Sequence, residues 1–240
     1  MMSDQRQQEG ATSFLKRSRP DEIIFVPCES NTGRFAYERV VDDICQLRWT
    51  RLTVGDLIDV AWAYYYFSIQ FRENLEIAIA LYPDDSRLRQ LKAEECDTDN
   101  LSPWPGVASA GERLNHDEFV RRLLELDAID PTRRRRLTRI GSSYLKRVRN
   151  FNRFSRAASI VSYEDGGLER VFRAILHAGH WNSQLLQAFK HFLVEHIRFD
   201  SDSVRGHGAL TRHLSPDNQV NGLWILFERL LIESVPKLAS

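Results

Sequence analysis

Residues 183–208 read SQLLQAFKHFLVEHIRFDSDSVRGHG. The apolar spacing over 183–199 predicts a helix. Phe192, Leu193, Ile197 and Phe199 make that helix largely apolar, which places it inside a bundle. His196 and Asp200 stand four residues apart, so they lie one turn apart on one face and can reach the same ion. The polar stretch SDSVRGHG that follows breaks the helix and can fold His207 back onto that ion. Two imidazoles and one carboxylate suit iron and leave positions open for oxygen and substrate. A carboxylate in an apolar stretch needs a cation or hydrogen bonds to be tolerated. His-x-x-x-Asp alone is also common on solvated helix faces, so the remaining ligands must be sought elsewhere in the chain.

Working outward, the rest of the chain is also helical in pattern. A helix is predicted over 37–47. A long one starts at Thr53 or Asp56, runs through Trp62, Tyr64, Tyr65, Tyr66, Phe67, Phe71, Leu75 and Ile79, and stops near Pro83. At about 1.5 Å per residue it spans roughly 40 Å. Asp85 opens a helix carrying Leu88, Leu91 and Glu95. Residues 97–114 hold Pro103, Pro105, Gly106 and Gly111 and read as a long functional loop. Asn115 caps the next helix, and Pro131 begins another that reaches Val148. Further helices are predicted over 154–176, 183–199 and 220–234. No alternating strand pattern occurs. The expectation is an all-α bundle of seven or eight helices, with a disordered tail over 1–20 and a single domain over 21–240.

The 240 residues, 42% hydrophobic, are enough for one full core. Lys plus Arg (33) balance Asp plus Glu (33), which gives no global attraction to nucleic acid or acidic lipid. No apolar run is long enough to span a membrane, and Met1–Pro20 lacks an apolar signal core. Cys28, Cys45 and Cys96 are scattered and imply neither a zinc motif nor a disulfide framework. The expected location is the cytoplasm, with no membrane partner and no nucleic-acid partner.

Helical metal proteins collect carboxylates and histidines from several helices. Glu94 and Glu95 end one helix just before the long loop, and His116 opens the next just after it. Glu164 closes the otherwise uncharged run Ala158–Tyr163. Glu94 and Glu95 point about 100° apart, so only one of them faces a given ion. The aromatic run Trp62–Phe71 reads mainly as helix core and secondarily as a wall of a site.

The order of these pieces resembles the heme-oxygenase-like diiron oxidases and oxygenases, including their CADD-like members. The similarity covers about residues 54–212 and rests on LKAEEC, NHDEFVRRLLEL and HFLVEHIRFD with His207-Gly208. It implies a heme-oxygenase-like fold and six iron ligands: Glu95, His116, Glu164, His196, Asp200 and His207. Two Fe(II) ions, O2 as co-substrate and an external electron donor follow from it. Glu164 is the expected bridging and catalytic carboxylate. Tyr163, Tyr66 and Gln70 are the expected substrate contacts. The resemblance implies oxidation of a small molecule, foremost a free amino acid, by desaturation, cyclisation or carbon–carbon cleavage. A branch that forms azetidine amino acids is a neighbour, and a homodimer is the expected assembly. A fatty-acid oxidase of the same fold is an alternative.

A metal-independent binding or regulatory protein competes with this reading. The run Arg133–Arg136, followed by Lys146, Arg147 and Arg149, offers a basic stripe for phosphates, although nearby acids offset it. A heme role is disfavoured because no histidine precedes His116. His191 sits about 140° around the helix from His196, so the two do not share an ion.

Overall fold

The long helix predicted around Tyr64 is the axis of the molecule. In the computed structural model it is α2, Val54–Leu81, 28 residues, after a first helix α1, Ala36–Cys45. Thr53 starts α2 with a reciprocal cap: Asp56 N donates to Thr53 Oγ1, and Thr53 N donates to Asp56 Oδ2. Residues on every side of α2 are buried, from Leu57 to Ala78. A helix buried all round must be enclosed by others. Those around it are α3 (Ser86–Glu95), α4 (His116–Leu123), α5 (Pro131–Val148), α6 (Arg153–Glu164), α8 (Gln184–Asp200) and α10 (Val220–Ser234). The set is completed by α7 (Gly167–Leu176), which joins α1 and α8, and α9 (His207–Thr211), which sits on α3 and α6.

The structure describes residues 36–200 and 206–239, and of Asp200 only the backbone. The tail expected over 1–20, most of the lead-in and Cys28 lie outside the described residues. Among the described residues there are ten α-helices, two short 3-10 turns and no strand, only the isolated bridges Thr98–Leu114 and Trp104–Ala108. None of these helices is long and apolar enough to cross a membrane.

The helix expected over 154–176 is divided. Gly166 takes φ 90°, a left-handed conformation that glycine adopts without Cβ strain, and separates α6 from α7. This break places Glu164 at the end of α6. The other helix not expected is α9, which is too short for periodicity to register.

The α2–α6 interface carries polar groups that satisfy one another. Gln70 Nε2 donates to the Tyr163 hydroxyl (2.6 Å), and the Tyr144 hydroxyl donates to Gln70 Oε1. One turn on, Asn74 Nδ2 donates to Ser159 Oγ (3.0 Å) and Arg156 Nε to Asn74 Oδ1 (2.8 Å). Burial pushes the Tyr144 and Tyr163 phenols up, so both stay protonated.

Candidate metal centre

Two helix ends and a loop bring the first group of ligands together. Glu95 closes α3 and His116 opens α4, 21 positions later. The loop between them is pinched at its neck. Thr98 and Leu114 exchange backbone hydrogen bonds (3.1 and 2.8 Å), and Asp97 N donates to Asn115 Oδ1. His116 Nδ1 therefore lies 2.7 Å from Glu95 Oε2. From α8, His196 Nε2 reaches within 3.0 Å of the same His116 Nδ1. Glu95, His116 and His196 are all buried.

Partners on the outside of these rings decide which nitrogens face inward. His196 Nδ1 can only donate to the Phe192 carbonyl (2.9 Å), so its Nε2 holds a lone pair. Asn100 Nδ2 donates to the Glu94 carbonyl (2.9 Å), which leaves Asn100 Oδ1 to accept from His116 Nε2 (3.0 Å). Neutral His116 then also holds a lone pair at Nδ1, whereas protonated His116 donates from it to Glu95. Two lone pairs and a carboxylate oxygen converge with no proton assigned between the two nitrogens. Such a convergence repels itself unless a proton or a metal cation occupies it. Separations near 3 Å are what ligands about 2.1 Å from one ion have at right angles. Burial, and then His116, lower the pKa of His196 to about 3, so it is neutral, as a ligand must be.

The second group forms where α9 meets α6. His207 Nδ1 lies 3.1 Å from Glu95 Oε1 and 3.1 Å from Glu164 Oε2. Gly208 permits this approach: a Cβ there would lie 3.0 Å from the Glu164 carbonyl and 3.1 Å from Asp165 Oδ1. Arg212 pins the same junction through Asp165 Oδ1 (2.9 Å). On its outer edge His207 Nε2 meets Glu94 Oε2 at 3.2 Å, which turns Nδ1 toward Glu95 and Glu164. Glu95, Glu164 and His207 are likewise buried and close enough to share an ion. Glu95 Oε1 is covered and accepts no aligned hydrogen bond. Burial pushes the Glu95 carboxyl up, but His116 and His207 outweigh this and hold it well below the usual carboxylate range. These groups fit divalent ions with a carboxylate and imidazole preference.

No family model, curated protein or solved structure matches this chain. The site is therefore argued from its own geometry.

Five of the six expected ligands come together, as two groups of three. Asp200 ends α8, and its side chain lies outside the described residues. Glu95, not Glu94, enters both groups; Glu94 instead orients His207. Glu164 is the expected bridge; among the described residues it belongs to one group, and Glu95 is the residue common to both. Tyr163 and Gln70, expected at the substrate, are bonded to each other inside the core. Tyr163 points about 100° around α6 from Glu164, toward α2. Tyr66 lines a different cleft from the ligand groups. His191 stacks on Trp104 at 4.6 Å, and His213 pairs with Asp85. Asn100 and the Phe192 carbonyl, which fix the two histidine rings, were not anticipated; both depend on chain packing.

Asn100 gives a direct test of the histidine assignment. Replacing it with alanine removes the acceptor that fixes His116. The expected result is about 10- to 100-fold weaker metal binding at the Glu95–His116–His196 group only. Anaerobic ferrous titration of the parent and the variant measures it. Unchanged affinity would show that Asn100 does not set the His116 tautomer.

Proposed function

We propose that this chain is a non-heme diiron protein that uses O2 to oxidise a small molecule. The observation that carries the reading is Glu95 standing between two buried three-ligand groups. Bound Fe(II) would supply the electrons and coordination sites for oxygen activation. Glu95, His116 and His196 would hold one ion, and Glu95, Glu164 and His207 the other, with Asp200 a further ligand from α8. The resemblance to heme-oxygenase-like diiron oxidases supports the same reading.

The chain's own residues define the surroundings. A void of about 20 Å³ adjoins Glu95, His116, His196 and Glu164. That is room for about one water-sized molecule. Tyr64, Phe71 and Leu168 give it an apolar wall. Arg72 and Asp117 give it a charged one, paired at 2.9 Å, with Asp117 Oδ1 covered and unbonded. The resemblance puts a free amino acid first among the substrates; in this conformation the void holds a water-sized molecule and no amino acid. Burial, then the nearby Glu95 charge, push the Cys96 thiol up to about 12, so it remains protonated and is no nucleophile.

The test is oxygen consumption by the iron-loaded protein with reductant, across a panel of amino acids and fatty acids, with mass spectrometry of the products. The expected result is substrate-dependent uptake with loss of two hydrogens or a fragment from an amino acid. No uptake above the iron-free control on any substrate would overturn the enzymatic reading.

A further inference from the structure

The metal-site void has room for about one water-sized molecule, so a larger solute reaches it only through an opening in its wall. Nearly all of that wall is interior. Of the eleven residues that line the void, nine are buried, at 9% exposure or less. The two that reach solvent are Arg72 and Asp117, whose side chains are 31% and 12% exposed. They belong to different helices, α2 and α4, and they hold each other: Arg72 Nε donates to Asp117 Oδ2 at 2.9 Å. Among the described residues, the way from solvent to the void therefore runs past this ion pair.

The two members differ in freedom. Asp117 stands in the first turn of α4, directly after His116, whose ring meets Glu95 and Asn100. It is the fixed side. Arg72 is a long side chain on a rigid helix, with several rotatable bonds. One turn further along α2, the half-exposed Glu76 already accepts from Arg72 Nη1 at 2.9 Å. Arg72 can leave Asp117 and stay paired with Glu76 at the rim. That movement uncovers the void without separating helices or stranding the cation. Cys96 also lines the void and is 9% exposed.

We propose that Arg72 and Asp117 form the gate of the metal-site void, closed by their ion pair and opened when Arg72 swings onto Glu76. As the route of a substrate, the gate rests on the oxidation proposed above. As an opening in the protein it is read without iron, so the two can fail separately.

Cys96 is the reporter. Iodoacetamide, a neutral alkylating agent larger than water, is applied to the metal-free full-length protein. Peptide mass spectrometry follows Cys96 and Cys45 separately; Cys45, on α1 and not part of the void, is the control. Arg72→Ala should alkylate at Cys96 about tenfold faster than the parent, as expected for the loss of one charge-assisted hydrogen bond. The Arg72 charge favours the Cys96 thiolate, so losing that charge alone would slow the reaction; only opening speeds it. Arg72→Met, which keeps the bulk and loses the pair, should also speed Cys96, and Arg72→Lys, which can restore the pair, should stay close to the parent. Cys45 should react at one rate in all four proteins. The proposal is overturned by an unchanged Cys96 rate in Arg72→Ala, by an equal rise at Cys45, which marks general loosening, or by Arg72→Lys reacting as fast as Arg72→Ala.

Discussion

Under the proposed diiron reading, Glu95→Gln is expected to abolish binding of both Fe(II) ions, whereas Glu94→Gln is expected to retain both. The two side chains are adjacent in sequence and carry the same charge, so the contrast isolates geometry. Glu95 is 5% exposed, lies 2.7 Å from His116 and 3.1 Å from His207, and belongs to both ligand groups. Glutamine keeps the shape but loses the anionic oxygens, so each ion loses a charged ligand at once. Glu94 touches the far nitrogen of His207, and its glutamine still accepts a hydrogen bond there. Anaerobic ferrous titration with iron analysis of the gel-filtered protein reads the outcome. Retention of one iron by Glu95→Gln would mean that the two groups do not share it. Circular dichroism of the metal-free variant separates ligand loss from misfolding.

Fe(II) is also expected to raise the melting temperature by a large amount. The ligands come from α3, α4, α6, α8 and α9, so the ions tie together helices that the unfolded chain scatters. A ligand at 1,000 times its Kd stabilises the native state by about 4 kcal/mol. For a domain of this size each kcal/mol is worth about 2–4 °C, so one saturated ion shifts the midpoint by roughly 8–16 °C. Anaerobic thermal melts with and without Fe(II) measure the shift, and Glu95→Gln should show little of it. An equal shift in that variant would place the iron elsewhere.

Much of this was legible in the sequence because it rests on local pattern. The α2 helix announced itself by its length, its apolar content and the Thr53 cap. His196 lay on a helix too apolar to be a solvated face. The choice of Glu95 over Glu94 had a signal as well: Leu88, Leu91 and Glu95 recur at i, i+3 and i+7 on the buried face of α3. Gly166 lies inside the expected helix 154–176, and what a break there does to Glu164 is not legible from periodicity. Which carboxylate is shared depends on how the ends of α3, α4, α6 and α9 converge, and no periodicity encodes that. Asn100 sits in an irregular loop and reaches His116 only because the loop neck closes. Tyr163 and Gln70 were misjudged for the converse reason: polar groups on buried helices serve each other as readily as a substrate.

The most direct test of the two-ion centre is an anaerobic titration of the metal-free protein with Fe(II), comparing the parent with His196→Ala. The account predicts an end point of two ions per chain for the parent and one for the variant, since His196 belongs to only one of the two groups. An end point of one or none for the parent, or an unchanged end point and affinity for His196→Ala, would contradict it.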